Sequence, residues 1–360
     1  MSNPIKPVLV EKAKSVRDNF LLGGVAVKPG SRQTIEIPVS VMPDHTPTKI
    51  SVEVIHGKEP GPTVFVSAAI HGDEIIGVEI VRRLLASSKL KRLKGTLLAV
   101  PIVNSLGFIN HSRYLPDRRD LNRSFPGSER GSLAGRLADI FLQDIVRVCD
   151  VGIDLHSAAI HRTNLPQIRM APNNARLREL ATAFAAPVTL TSPLREGSLR
   201  QAARSLGVDM LLFEAGEALR FDEKAIRVGV TGTLRVLSHL GMVHNKGLTR
   251  PRISQIRSTS SYWVRAGAGG LLRSYKTIGD TVEKGTILGA IGDPFGEIEV
   301  PVNATEPGLI IGRSNLPLVN EGDGLFHIAR IRAVDEAEST LDQINAHLEG
   351  DPLFDEDEII

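Results

Sequence analysis

The chain has 360 residues, 42% of them hydrophobic and 23% charged, enough for one large domain and a smaller one around well-filled cores. Its 43 Lys and Arg against 41 Asp and Glu leave a net charge of +2, which excludes the dense basic surface that nucleic acid needs. The single cysteine, Cys149, rules out an internal disulfide and a cysteine-built metal cluster, and no run approaches the ~20 apolar residues of a membrane span.

The first twenty residues scatter charges among apolar positions, unlike a signal peptide, so a cytoplasmic location is expected. Residues 1–45 hold short β-like pieces, such as Gln33–Val39, broken by Pro and Gly, and read as an N-terminal β extension packed on the main sheet. Lys49–Gly57 alternates at period two and ends in a Gly/Pro turn, the pattern of a strand toward a sheet edge. Val64–Ile70 is an apolar, β-branched run that stops at His71, and the spacing of Val78, Ile80, Val81, Leu84 and Leu85 among charges predicts a helix to Leu90. Gly95–Asn104 is a second buried strand. From Gly107 to Gly127 there is charge and little periodicity, and a loop of that length inside a domain points to function.

A helix is predicted over Ser132–Val148, then a short strand, Val151–Ser157, that contains a second histidine. Helices follow over 174–185 and 198–206, a third apolar strand over Met210–Gly216, and a last helix over 221–240. Strands alternating with helices predict an α/β domain at 46–245 with a mainly parallel, doubly covered sheet. From 250 to 332 the chain is β pieces between Gly turns with no helix, a small separate β domain. Residues 333–360 make a tail whose acidic end is expected to fray.

Three of these strands run into groups that metal-assisted hydrolysis uses: His71 with Glu74, His156, and Glu214. Ends of parallel strands meet along one sheet edge, where open α/β sheets place their ligands, so residues far apart in sequence can converge there. Two neutral imidazoles and a carboxylate suit Zn²⁺ and leave a fourth position for water, whose pKa the ion lowers toward about 7. Glu214 near that water suits a general base. Each piece has a bland reading too: a turn histidine beside a helix-capping acid, a satisfied histidine in a strand, a structural ion pair at Glu214, a solvated charge run in the long loop. A costly carboxylate on a buried strand wants a partner, which favours the joint reading.

His71-Gly72-Asp73-Glu74, Arg113-Tyr114, Asp120-Leu121-Asn122-Arg123, Asp154-Leu155-His156 and Phe213-Glu214-Ala215-Gly216 resemble, in order and spacing over residues 45–330, the motif series of the succinylglutamate desuccinylase/aspartoacylase family. The resemblance implies a fold of zinc-carboxypeptidase type, one Zn²⁺ per chain on His71, Glu74 and His156, and Glu214 as the catalytic carboxylate. It implies that Arg113 polarises the scissile carbonyl, although Arg118 and Arg119 lie close enough in sequence to compete for that task. Asn122 and Arg123 resemble the clamp on a substrate carboxylate, Arg200 a further substrate-binding arginine, and Asp120 the acid that orients the first histidine. A family tyrosine that reaches substrate from the C-terminal domain has Tyr262 and Tyr275 as candidates here. The β domain resembles the barrel-sandwich of biotinyl and lipoyl carriers, but Glu299–Thr305 offers no modifiable lysine, so a lid is expected rather than a swinging arm.

The reading is a zinc-dependent amidohydrolase that deacylates a small N-acyl amino acid or related carboxylate-bearing amide, with no nucleic-acid or membrane partner and with a homo-oligomer admitted. A metallocarboxypeptidase that trims peptide C-termini and a non-catalytic ligand-binding module are the alternatives.

Overall fold

The computed structural model of the protein describes residues 17–248 and 255–331, with Ala337 and Thr340. The expectations for residues 1–16 and for most of the 333–360 tail lie outside the described residues.

The chain opens with a hairpin, β1 (Phe20–Leu22) and β2 (Val25–Val27), and two long antiparallel strands, β3 (Ser31–Val41) and β4 (Pro47–His56). The α/β part follows as β5 (Thr63–Ala68), α1 (Ile76–Ala86), β6 (Thr96–Val100), α2 (Ser105–Ile109), α3 (Leu133–Ile140), β7 (Val151–Ala158) and β8 (Arg162–Met170). It closes with α4 (Ala175–Phe184), β9 (Val188–Thr191), α5 (Leu199–Ser205), β10 (Asp209–Glu217) and α6 (Glu223–His239). Only strands follow among the described elements: β11 (Ile256–Ser258), β12 (Ser261–Arg265), β13 (Gly270–Ser274), β14 (Thr281–Val282), β15 (Ile287–Gly292), β16 (Glu299–Asn303), β17 (Gly308–Ser314), β18 (Leu318–Val319) and β19 (Gly324–Ala329).

The main sheet runs β12-β19-β17-β8-β10-β7-β5-β6-β4-β3. Off this path β9 pairs parallel with both β8 and β11, and along it only the centre, β10-β7-β5-β6, is parallel. These are the strands whose apolar runs are buried along nearly their whole length, as parallel strands covered on both faces must be. The flanks are antiparallel, β4 on β6 and β3 on β4 at one side, β8 on β10 and β17 on β8 at the other. The sheet is therefore mixed, which corrects the expectation of a mainly parallel one: alternating strands and helices fix the direction of the central four, while β3 returns on β4 as a hairpin and β4, β8 and β17 add antiparallel through longer connections. β3 belongs to the sheet itself and does not lie upon it. A smaller antiparallel sheet, β16-β15-β13-β18, completes the C-terminal part.

β8 and β9 escape the sequence patterns. Arg162–Met170 carries Pro166, which cannot donate to a ladder, and three polar residues: Asn164 and Arg169 meet Glu214, while Gln167 is buried and donates to the Leu165 and Ile311 carbonyls. The predicted 132–148 helix keeps its place and loses its regularity. It is α-helical to Ile140, passes through a π-type turn over Phe141–Ile145 and ends in a 3₁₀ turn at Val146–Val148.

Two cores lie on opposite faces of the sheet. On one, Val64, Val66 and Ala68 meet α1, α4 and α6. On the other, Phe65, Leu98 and Val100 meet α3, its π-type turn and α5. Period-two alternation therefore sends Ser67, Asp154 and His156 to the second face, with the side chains of α5. Among the described residues no helix is long and apolar enough to cross a membrane. Phe141 is fully buried and packs edge-on against Phe65 at 6.1 Å. Phe141→Ala is expected to cost ~3–5 kcal/mol in chemical denaturation, because so large a cavity cannot close.

Candidate active site

β5 ends at Ala68, and Ala69 enters the left-handed region at φ 51°, which turns the chain sharply toward α1. The turn is pinned to the segment after β6: Val103 N donates to Ala68 O at 3.0 Å and Asn104 N to Ala69 O at 2.9 Å. Gly72 lies so close to α2 that a Cβ there would stand 2.0 Å from the Gly107 carbonyl carbon. Only glycine permits that approach, and it presses the His71–Glu74 turn down onto the sheet edge.

His71, Glu74 and His156 are all buried. Their ligand atoms lie within 4.8 Å of one another. His71 Nδ1 is 2.7 Å from Glu74 Oε1 and His156 Nδ1 is 2.7 Å from Glu74 Oε2, so both imidazoles present the same ring nitrogen to one point. The opposite nitrogens are taken by carboxylates: His71 Nε2 by Asp120 Oδ1 at 3.2 Å and His156 Nε2 by Asp154 Oδ2 at 2.6 Å. Asp154 is itself fixed by the Ser67 hydroxyl at 2.7 Å. An outer carboxylate that accepts Nε2–H leaves Nδ1 as the lone-pair donor, which is how histidine is prepared for a metal.

The electrostatics point the same way. Burial works to raise the Glu74 carboxyl, but His71 and His156 override it and hold it far below the usual range. Burial likewise opposes charge on His156, while Asp154 and Glu74 draw its proton affinity upward, and Glu74 with Asp120 does the same to His71. Asp120, also raised by burial, is pulled down by His71 and by Arg113. With neutral imidazoles the centre sets the carboxylates of Glu74, Asp120 and Asp154 against the single guanidinium of Arg113, and a divalent cation offsets that excess. Donor set, spacing and charge all fit a metal ion held by His71, Glu74 and His156.

Glu214 stands directly opposite His156 in the parallel ladder of β10 and β7, one strand away on the same face. Its Oε2 accepts from Asn164 Nδ2 at 2.8 Å and its Oε1 is 3.5 Å from Arg169 Nη1. Arg113 is the arginine of its loop that reaches the centre: Nη1 donates to Glu74 at 3.0 Å, and Nε and Nη2 to Asp120 Oδ2 at 3.2 and 3.0 Å. Arg118 and Arg119 are exposed, the latter beside Asp117. Asn122 is buried and spends its Oδ1 on Leu199 N at the start of α5, 2.9 Å away. Arg123 is exposed and donates to the Asn122 carbonyl at 2.6 Å. Arg200 donates to Ser192 Oγ and to Pro193 O, and burial beside Arg169 pushes it down to about 10, with Glu214 opposing.

Tyr262 is engaged away from this centre. Its hydroxyl donates to the Glu306 carbonyl, and its neighbour Trp263 takes the other face of β12. Tyr275 is 53% exposed. Asp154, Ser67, Asn164 and Arg169 are the contributors that sequence reading missed. Asp154 was within reach of it, since it lies two residues before His156 and so on the same face of β7; Asn164 and Arg169 sit on the unread strand. Asp154→Asn is expected to lower metal affinity ~10–100-fold, measured by competition with a chelator, because the amide cannot fix His156 as a carboxylate does.

Residues 60–240 match the succinylglutamate desuccinylase/aspartoacylase catalytic domain. The chain is 26% identical over 341 residues to the N-alpha-acetyl-L-2,4-diaminobutyric acid deacetylase of Halomonas elongata, an alignment covering 91% of this chain and 96% of that protein. Its fold is similar to that of the product-bound ectoine utilization protein EutE (DoeB) of Ruegeria pomeroyi, with a TM-score of 0.76 at 24% identity, over 92% of this chain and 100% of that one. A succinylglutamate desuccinylase/aspartoacylase of Rhodobacter sphaeroides gives a TM-score of 0.74 at 23% identity, over 83% and 96%. The catalytic-domain match, carried across half of the sequence, shows that the chain belongs to the succinylglutamate desuccinylase/aspartoacylase family.

Proposed function

We propose that the protein is a zinc-dependent hydrolase that removes the acyl group from a small N-acyl amino acid or a related amide with a free carboxylate. The observation that carries this reading is the meeting of His71, Glu74 and His156 with Glu214 one strand away. The Halomonas relative, named as a deacetylase of an acetylated diamino acid, supports the same class of bond and of substrate. We also read the sheet as laid out in the zinc-carboxypeptidase manner, with the C-terminal strands as a barrel-sandwich and the boundary between the two parts at residues 245–250.

Zinc on His71, Glu74 and His156 would supply a Lewis acid for the amide carbonyl and would acidify water beside it. The protein's own groups do the rest. Glu214 accepts the proton of the attacking water and passes it to the leaving nitrogen as the C–N bond breaks. Arg113, already donating to Glu74 and Asp120, keeps one N–H on each of Nη1 and Nη2 for the oxygen that gains negative charge. Asp120 and Asp154 keep both imidazoles oriented throughout. Arg123, Asn122 and Arg200 are the candidates to hold the substrate carboxylate, Arg123 and Arg200 by a guanidinium fork.

Glu214→Gln is expected to keep one zinc per chain and to lose ~10²–10⁴-fold in kcat, read by metal analysis and steady-state assay side by side. Removal of metal by a chelator is expected to abolish hydrolysis of acetyl-, succinyl- or aspartyl-type amides, and added Zn²⁺ to restore it. Release of amino acid from short peptides and not from acyl-amino acids would instead mark a carboxypeptidase, and zinc content near zero a binding protein.

A further inference from the structure

Glu214 is not held by the metal ligands, and its two oxygens have different partners. Arg169 sits 3.5 Å from Oε1, while the neutral amide of Asn164 donates to Oε2 at 2.8 Å. The guanidinium alone would draw the carboxylate into an ion pair; a second donor on the other oxygen fixes its plane without cancelling its charge.

What holds Asn164 comes from the C-terminal strands. Asn164 is 8% exposed on β8 and stands opposite Gly312 of β17, which stands opposite His327 of β19, which stands opposite Trp263 of β12. The four positions form one row across the sheet. A Cβ at 312 would lie 2.7 Å from Asn164 Oδ1 and 3.4 Å from His327 Cβ, so the missing side chain is the space into which the Asn164 amide fits. Beyond it His327 stacks flat on Trp263, with ring centroids 4.7 Å apart and planes 5° apart, and its Nε2 meets Ser261 Oγ at 2.8 Å. Burial, with the charges of Arg169 and Arg195, pushes His327 down to about 3, so this wall is a neutral ring.

We propose that Asn164 is a positioning residue for Glu214, seated by the side-chain-free position Gly312, and that the C-terminal strands thereby take part in the reaction as a buttress. The inference rests on the reading of Glu214 as the proton carrier. The charged or titratable groups around that face are Arg169 of β8, Arg195 and Arg200 at α5, Asp154 and His156 of β7 and His327 of β19, and among the described residues Asn164 is the group that hydrogen-bonds Glu214 Oε2.

Steady-state kinetics, zinc content and thermal melting of Asn164→Ala, Asn164→Asp, Asn164→His and Gly312→Ala, with Glu214→Gln alongside, test it. Asn164→Ala and the isosteric Asn164→Asp, which lacks the amide donor, are expected to lose ~10–100-fold in kcat with KM, zinc content and melting temperature close to the parent. Gly312→Ala is expected to lose kcat in the same way, and Asn164→His, whose ring N–H reaches a similar point, to recover part of it. Parental kcat in Asn164→Ala, parental kcat in Asn164→Asp, or a loss accompanied by lost zinc or a lowered melting temperature would each overturn the proposal. A fully active Glu214→Gln enzyme would instead remove the proton-carrier reading itself, whatever the Asn164 series shows.

Discussion

The structure turns on one buried carboxylate. Glu74 has an imidazole Nδ1 against each of its oxygens, with the Arg113 guanidinium and the Ser157 N–H added to them. A carboxylate with no water around it is costly unless each of its lone pairs is met. The elements that meet them are the turn after β5, the end of β7 and the long loop before α3, three pieces brought together by the parallel centre of the sheet. The fold can thus be seen as the means of delivering opposite partners to a single acid. The same arrangement makes that acid and its neighbours suitable to give way to a metal ion.

Around this centre the polar groups are arranged in two tiers with different tasks. Asp120 and Asp154 take the Nε2 side of His71 and His156 and leave Nδ1 turned to Glu74. Asn164 and Arg169 each hold one oxygen of Glu214, a carboxylate that stands apart from the His71, Glu74 and His156 cluster. Asn164 and Arg169 both come from β8, which pairs antiparallel with β10 and β17 and, over Gln167–Met170, parallel with β9. The pairing of β8 with β10 on one side and β17 on the other joins the C-terminal strands to the main sheet by backbone hydrogen bonds.

Much of this was legible in the sequence, for a physical reason. His156 and Glu214 lie near the ends of the apolar strands β7 and β10, and His71 on the turn after β5, where a buried chain has few other reasons to carry a histidine or a carboxylate. β8 was illegible because Asn164, Gln167 and Arg169 break the apolar alternation that marks a strand, and Pro166 reads as a breaker. Strand direction was misjudged outside the centre, since period-two patterns say which face is buried and nothing about which way the neighbour runs. Choosing among Arg113, Arg118 and Arg119 needed three dimensions, because only the fold of the long loop turns one of them inward and leaves the others in water.

The register of β8 also bears on how the chain is made. Residues Gln167–Met170 pair with β9, which emerges soon after them, but Arg162–Asn164 pair with β17, synthesised about 150 residues later. During translation that short stretch leaves the ribosome with one side of its backbone unpaired, an open edge of the sort that nascent chains misuse. Asn164 meets Gly216 and Glu214 of β10 first and Gly312 of β17 last. A newly made chain thus contains His71, Glu74 and His156 well before the residues that flank Asn164 are all synthesised.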